Sequence, residues 1–162
     1  MAHPYALVMD SPLGKLGVAL AEGCVCRIDF LAGQARAQAA TTAPAARVAR
    51  ELERYFRAGG TDFSVALQLH GTPFQQRVWR ALQGIPRGEV RSYGELAAQL
   101  GSGARAVGNA CRHNPVPIIV PCHRVVSASG IGGYSGHTAG RELRRKHWLL
   151  AHEGASLALE RH

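Results

Sequence analysis

Cys122 and His123 stand side by side within the apolar run of residues 117–126, whose sequence is Pro-Ile-Ile-Val-Pro-Cys-His-Arg-Val-Val. Cysteine is a nucleophile only as its thiolate, and a neighbouring imidazole is one of the few groups that can take its proton near neutral pH. The β-branched residues on the approach predict a buried, extended segment, with Pro121 fixing φ just before the thiol. On its own, a Cys-His pair reads equally as a buried thiol packed as a small hydrophobe beside a surface histidine. What decides between these readings is the set of elements that would position the pair.

The chain has 162 residues, 46% of them hydrophobic and 19% charged, with a net charge of +8 and a pI near 10.0. That composition supports one domain or two small lobes with a real core, and it excludes a disordered tail protein. The first residues lack both a basic start and a sustained apolar run, and no stretch approaches a membrane span. A soluble, cytoplasmic protein that does not engage membranes is expected. The positive charge favours a polyanionic partner. Residues 101–162 carry eight Arg and Lys against three Asp and Glu, so the excess gathers around the cysteine motif. Cys24, Cys26, Cys111 and Cys122 fit neither a disulfide framework nor a zinc spacing. No metal is expected, and Cys24 and Cys26, two apart on one face of a strand, read as structurally buried.

The predicted fold class is α/β of the α+β kind, in two lobes. Residues 1–70 form a β-rich lobe: an antiparallel meander over 5–30, broken at 11–14 and 21–23, a surface connection over 32–46, and a helix over 45–58. Residues 63–69 alternate again and are expected to return to the sheet. Residues 71–162 form a mostly helical lobe. Thr72-Pro73-Phe74-Gln75 and Ser92-Tyr93-Gly94-Glu95 are both capping boxes. They predict helices over Pro73–Gln83 and from Ser92 to Gly101. Ser102 is expected to cap a third helix, Ala104–Arg112, with Ala106, Val107 and Ala110 on one face. Two short helices joined at Gly101-Ser102-Gly103 have the punctuation of a helix-turn-helix, or of an ordinary helical corner. Arg105 in the first turn of the second helix and Arg112 at its end favour a nucleic-acid surface, and Gly108 and the small residue Ala104 allow close approach.

Taken together, Ala104-Arg105-Ala106-Val107-Gly108, Asn114-Pro115-Val116-Pro117, Pro121-Cys122-His123-Arg124-Val125 and Trp148-Leu149-Leu150-Ala151-His152-Glu153-Gly154 resemble the O6-alkylguanine-DNA alkyltransferases, also called methylated-DNA–protein-cysteine methyltransferases. Gly88-Glu89-Val90 followed by Ser92-Tyr93 fits the same family, and the resemblance runs over residues 71–154. It implies irreversible transfer of an alkyl group from O6 of guanine to Cys122, without a cofactor, by a monomer acting on double-stranded DNA through the minor groove. It further implies that His123 takes the thiol proton through a water and that Glu153 orients His123. Tyr93 would move a proton to the leaving base, and Asn114 would hold the turn before the active site. The carbonyls of Cys122 and Val125 would accept from the guanine amino group, and the Ser135 backbone N–H would point at O6. Arg105 would fill the space of the extruded base. With it, Ala104, Gly108, Arg112 and Arg124 make up the expected DNA surface.

Spacing departs from the family between Gly130 and Glu153, with an insertion expected over 137–141, which places the role of Ser135 in question. Residues 141–146, Arg-Glu-Leu-Arg-Arg-Lys, read as a solvated basic helix face. Two other classes compete. A thiol hydrolase built on Cys122, His123 and Glu153 leaves the helix-turn-helix unexplained, whereas a lesion-binding relative would ordinarily lack the acceptor cysteine.

Overall fold

The structure, a computed structural model, describes residues 4–58, 62–128 and 140–155. The chain divides into two compact units, Met1–His70 and Gly71–His162.

In the first unit, alternating apolar residues form strands β1 (Leu7–Met9), β2 (Lys15–Ala21) and β3 (Cys24–Leu31), paired antiparallel in that order. Glu22 and Gly23, at φ 52° and 79°, make the tight turn between β2 and β3, where a hairpin needs positive φ at both central positions. Leu7, Leu16, Val18, Val25 and Ile28 are buried on the sheet. The register shifts between Ala19 and Leu20, which leaves Cys26 unpaired opposite them. Cys24 and Cys26 are therefore only half-buried, with their thiols near the carbonyl oxygens of Glu22 and Ala19, rather than packed in a core. No group of three His, Cys, Asp or Glu able to hold a metal occurs among the described residues.

Three segments depart from expectation. Gln38, in the stretch read as a surface connection, exchanges two backbone hydrogen bonds with Val8, and its side chain donates to the Tyr5 carbonyl. The segment thus covers the edge of β1. Helix α1 (Ala43–Ala58) begins earlier than expected because Thr42 caps it, accepting from the Ala45 and Ala46 amides. Residues 63–69 add a single parallel bridge, Val25 to Leu67, instead of a strand. The amides of Ser64 and Val65 donate to the buried Glu51 carboxylate of α1, so they are withdrawn from any ladder.

In the second unit, α2 (Pro73–Gln83) and α3 (Tyr93–Leu100) each start on a complete capping box, at Thr72 and Ser92. Gly101 ends α3 in the left-handed region at φ 66°. Ser102 does not cap the next helix: its amide donates back to Ala97, which makes it part of the α3 terminus, and α4 (Ala104–Arg112) starts on Gly103. The inner face of α4 is Val107, Ala110 and Cys111, while Ala106 is exposed. Buried Trp79 donates from Nε1 to the Ala110 carbonyl at 2.9 Å, tying α2 to the last turn of α4. Strand β4 (Arg91–Ser92) pairs in parallel with β5 (Val125–Val126), which brings the start of α3 next to the cysteine segment. Helix α5 (Arg141–His152) closes the unit by burying Leu149 and Leu150.

Candidate active site

The approach to Cys122 is buried but not extended. The Val120 amide donates to the Val116 carbonyl at 2.9 Å, so residues 116–120 form a turn. Asn114 staples it: Oδ1 accepts from the Val116 amide at 2.9 Å, and Nδ2 donates to the Val120 carbonyl at 2.8 Å. Ile118 sits at φ 76°, a left-handed conformation that a β-branched residue adopts only under strain. Pro115, Pro117 and Pro121 carry no N–H, so this buried irregular backbone has fewer donors to satisfy. The turn delivers Cys122 to the first position of a 3-10 turn, Cys122–Arg124, where its amide is held by the Val120 carbonyl. The thiol is buried, and the Asn114 side chain acts to lower its pKa.

His123 is fully buried, and its Nε2 lies 2.8 Å from Glu153 Oε2. Since a carboxylate only accepts, Nε2 carries the proton and Nδ1 presents a bare lone pair. That Nδ1 is buried without a hydrogen-bond partner among the described residues. Glu153, at the C-cap of α5, also accepts from Arg124 Nε and Nη2, both at 2.9 Å. Burial pushes the Glu153 carboxyl up, but these donors outweigh it and hold the group well below the usual carboxylate range. Burial lowers the His123 pKa against the pull of Glu153, so the imidazole rests neutral. Arg124 corrects an expectation. Its third nitrogen, Nη1, donates to the Ile85 carbonyl at 2.6 Å and its side chain is 11% exposed, so it serves the carboxylate rather than a DNA phosphate.

A second correction lies on α5. Arg141 and Arg144 are exposed as a solvated face requires, but Arg145 and Lys146 are buried. The signal was present, because each lies four residues before Leu149 or Leu150 and so shares the apolar face of the helix. Lys146 Nζ donates to the Val125 carbonyl at 2.7 Å and lies 5.8 Å from the centroid of the Tyr93 ring. Val125 is thus already an acceptor, with one lone pair left for a ligand. Burial brings Lys146 down to about 8. It pushes the Cys122 thiol up, opposed by Asn114 and by the Lys146 charge. Burial likewise takes Cys111, on α4, up to about 12 and raises Tyr93, and both respond to charge on Cys122. Cys111 and Lys146 are site residues that the sequence did not point to.

Arg105 and Ala104 in the first turn of α4, and Arg112 at its end, are exposed. Gly108 is half-buried, and a Cβ there would meet the Tyr93 ring at 3.9 Å, an ordinary contact. Ser135, the Gly130–Tyr134 spacing and most of the expected insertion lie outside the described residues.

A buried thiol one residue from a carboxylate-oriented imidazole, carried in one unit with two helices meeting at a glycine corner, defines a protein with a covered cysteine, a buried base and an exposed basic helix. The sequence profile of the 6-O-methylguanine DNA methyltransferase DNA-binding domain matches residues 73–155, and the chain belongs to that family. It is 53% identical over 116 residues to the methylated-DNA–protein-cysteine methyltransferase of Mycolicibacterium paratuberculosis, covering 67% of each chain. It is 39% identical over 143 residues to the constitutive enzyme of that name from Bacillus subtilis, covering 82% of this chain and 87% of the relative. Its fold matches the crystal structure of Mycobacterium tuberculosis O6-methylguanine methyltransferase with a TM-score of 0.77 at 41% identity, covering 93% of both chains.

Proposed function

We propose that this chain repairs DNA by moving an alkyl group, methyl in the first instance, from O6 of guanine onto Cys122 Sγ in one irreversible turnover. Direct displacement at the alkyl carbon forms an S–C bond as the C–O6 bond breaks. The thiol proton passes to His123 Nδ1 through a bridging water, and the imidazolium so formed is stabilised by Glu153. The departing purine takes a proton from the Tyr93 hydroxyl, which is restored by the proton held on His123. No water-labile ester results, only a thioether, so the protein is consumed.

The observation that carries this reading is the state of His123: Nε2 committed to Glu153, and Nδ1 buried, bare and one residue from the thiol. DNA is the partner, as in the solved complex of Mycobacterium tuberculosis OGT with DNA, which this chain matches with a TM-score of 0.74 at 43% identity over 91% of both chains. Reaching a thiol this buried requires the guanine to leave the stack, at a cost of a few kcal/mol. Arg105, on the exposed first turn of α4, fills the vacated space from the minor groove, and one monomer suffices.

Intact-protein mass after incubation with a duplex carrying one O6-methylguanine tests the proposal, with Cys122→Ser in parallel. Wild type should gain a single methyl and saturate at one per molecule, and the variant none. Tight lesion-specific binding with no mass gain would overturn transfer and leave a damage-recognition protein.

A further inference from the structure

Helix α1 has two unlike sides. Ala45, Val48, Leu52 and Tyr55 are buried in the first unit, and away from them Arg47, Arg50, Arg54 and Arg57 are all exposed. At about 3.6 residues per turn these four positions fall within an arc of about 80°, so they form one row along the helix. Together with Glu51 and Glu53 they line an open groove.

The charge of the first unit is sorted toward this row. Residues 1–70 hold seven Arg and Lys against six Asp and Glu, and four of the seven stand within residues 47–57. Elsewhere the ions cancel, with Lys15 paired to Asp10 and Arg27 to Asp29. Within the row, Arg47 is held by Glu51 and donates to Ser64 Oγ at 2.8 Å. Arg50, Arg54 and Arg57 form no hydrogen bond or ion pair among the described residues, although the exposed Glu53 is three residues from Arg50 and four from Arg57. Arg50 and Arg54 are four apart and Arg54 and Arg57 three apart, spacings at which like charges weaken a helix. An anion laid along the row removes that repulsion.

Spacing selects the anion. Residues 50–57 span about 10 Å of helix axis, and each strand of duplex DNA presents a phosphate every ~3.4 Å of its own axis, so the row can face about three phosphates. Guanidinium forks match phosphate oxygens in pairs. A membrane surface would require apolar side chains beside the cations to enter it, and the apolar residues of α1 are turned into the core.

The row belongs to the unit that contains neither Cys122 nor α4. Going beyond the lesion site, and independent of whether Cys122 is the alkyl acceptor, we propose that the exposed face of α1 is a second contact for duplex DNA. It grips the phosphate backbone through Arg50, Arg54 and Arg57 without reading sequence.

Binding of the full chain to an unmodified duplex of roughly 30 base pairs, followed by fluorescence anisotropy from about 50 to about 300 mM salt, tests this. A triple variant carrying Arg50→Gln, Arg54→Gln and Arg57→Gln should bind about tenfold or more weakly at the lowest salt. It should also lose about 2–3 from the slope of log affinity against log salt, at about 0.9 per phosphate. The matching triple Lys variant keeps the charge and should keep most of the slope, and Glu53→Gln should tighten binding. All the replaced side chains are exposed, and melting temperatures check that the fold is kept. In wild type, the Nε–Hε NMR signals of Arg50, Arg54 and Arg57 should shift as duplex is added. The saturated rate of methyl transfer from an O6-methylguanine duplex should be the same in wild type and the triple Gln variant. A triple Gln variant with the wild-type slope and affinity, or arginine signals that stay still in the DNA-bound protein, would overturn the inference. So would a poly-glutamate peptide that shifts those signals where duplex does not, which would assign the row to an acidic protein partner. Absence of methyl gain at Cys122 would count against the proposed function alone, because the binding and NMR readouts do not depend on transfer.

Discussion

Replacing Glu153 by Gln keeps the shape of the side chain and removes its charge. The carboxylate receives three donors, from His123 at 2.8 Å and from Arg124 twice at 2.9 Å, and its side chain is fully buried. An amide has one acceptor oxygen and one donor nitrogen, so it cannot satisfy all three. If the oxygen faces His123, the amide nitrogen meets the Arg124 guanidinium, donor against donor. If the nitrogen faces His123, the imidazole must present its lone pair at Nε2 and carry its proton at Nδ1, the atom needed to receive the thiol proton. Breaking a buried pair while leaving one charge behind costs about 3–5 kcal/mol. For a chain of this size that lowers the melting temperature by about 6–20 °C. A wrong-tautomer histidine costs a serine hydrolase triad about 10⁴ in rate, and about 10²–10⁴ is expected here. The assay is single-turnover transfer below the new melting temperature, with lesion binding measured in parallel. A destabilised Glu153→Gln protein that transfers at the wild-type rate would refute the relay and make Glu153 only a structural anchor for Arg124.

Arg105→Ala touches an exposed side chain, so stability should stay within about 0.5 kcal/mol. Transfer from duplex should fall by about tenfold to a hundredfold, as expected when part of a flipping cost of a few kcal/mol goes uncompensated, and transfer from a single strand should fall much less. Equal losses on both substrates would count against base extrusion. Gly101→Ala meets no neighbouring atom within 4 Å, so its cost is the backbone alone at φ 66°: about 1–2 kcal/mol in chemical denaturation. Stability should also respond to pH at both ends. His123 and Glu153 both have folded pKa values below their ordinary ones. Their contribution is therefore fully present above about pH 6.5 and is lost as pH falls, because the unfolded chain takes up protons first. Cys111 is raised from 9.0 to about 12, so it contributes stability below pH 9 that is lost as pH rises toward 12, and Cys111→Ala should flatten this alkaline fall. Lys146, lowered from 10.5 to about 8, slopes the other way between those values, which makes the variant comparison more informative than the wild-type curve alone.

Local chemistry was legible wherever the sequence alone closes a hydrogen bond. Thr72 with Gln75 and Ser92 with Glu95 set the starts of two helices, since both halves of each capping box lie within four residues. The adjacency of Cys122 and His123 was equally plain. What could not be read locally is where long side chains end. Arg124 and Lys146 look like surface cations until Glu153, 29 residues beyond Arg124, and Val125, 21 residues before Lys146, are brought to them by the fold. The approach to Cys122 was misread for a related reason. Residues 117–121 have strand-like composition, but the turn is imposed by Asn114, which bonds Val120 six residues away. In the first unit, Glu51 claims the Ser64 and Val65 amides from 13 and 14 residues upstream and so prevents the strand that the alternation suggests.

The raised Cys122 pKa looks at first like an argument against a nucleophile, since only thiolate attacks. In a protein that reacts once, it is consistent with the function. A permanently ionised, exposed thiol would be spent on oxidants and stray electrophiles before meeting its target. Here burial keeps the thiol protonated and covered, while the base that can ionise it is neutral and has its Nδ1 ready. With one anion in Glu153 and two cations in Arg124 and Lys146, the resting site carries a net positive charge, and proton transfer from Cys122 to His123 leaves that net charge unchanged. The transfer only separates charge within the site, against the burial that raises the thiol pKa, so the thiolate waits on an electrophile aligned with Sγ. On the proposed function, reactivity is thus tied to the seating of the damaged base rather than to the free protein. The thiol of the DNA-free protein should accordingly react slowly with iodoacetamide across neutral pH, and rapid modification would show that the site is not gated in this way.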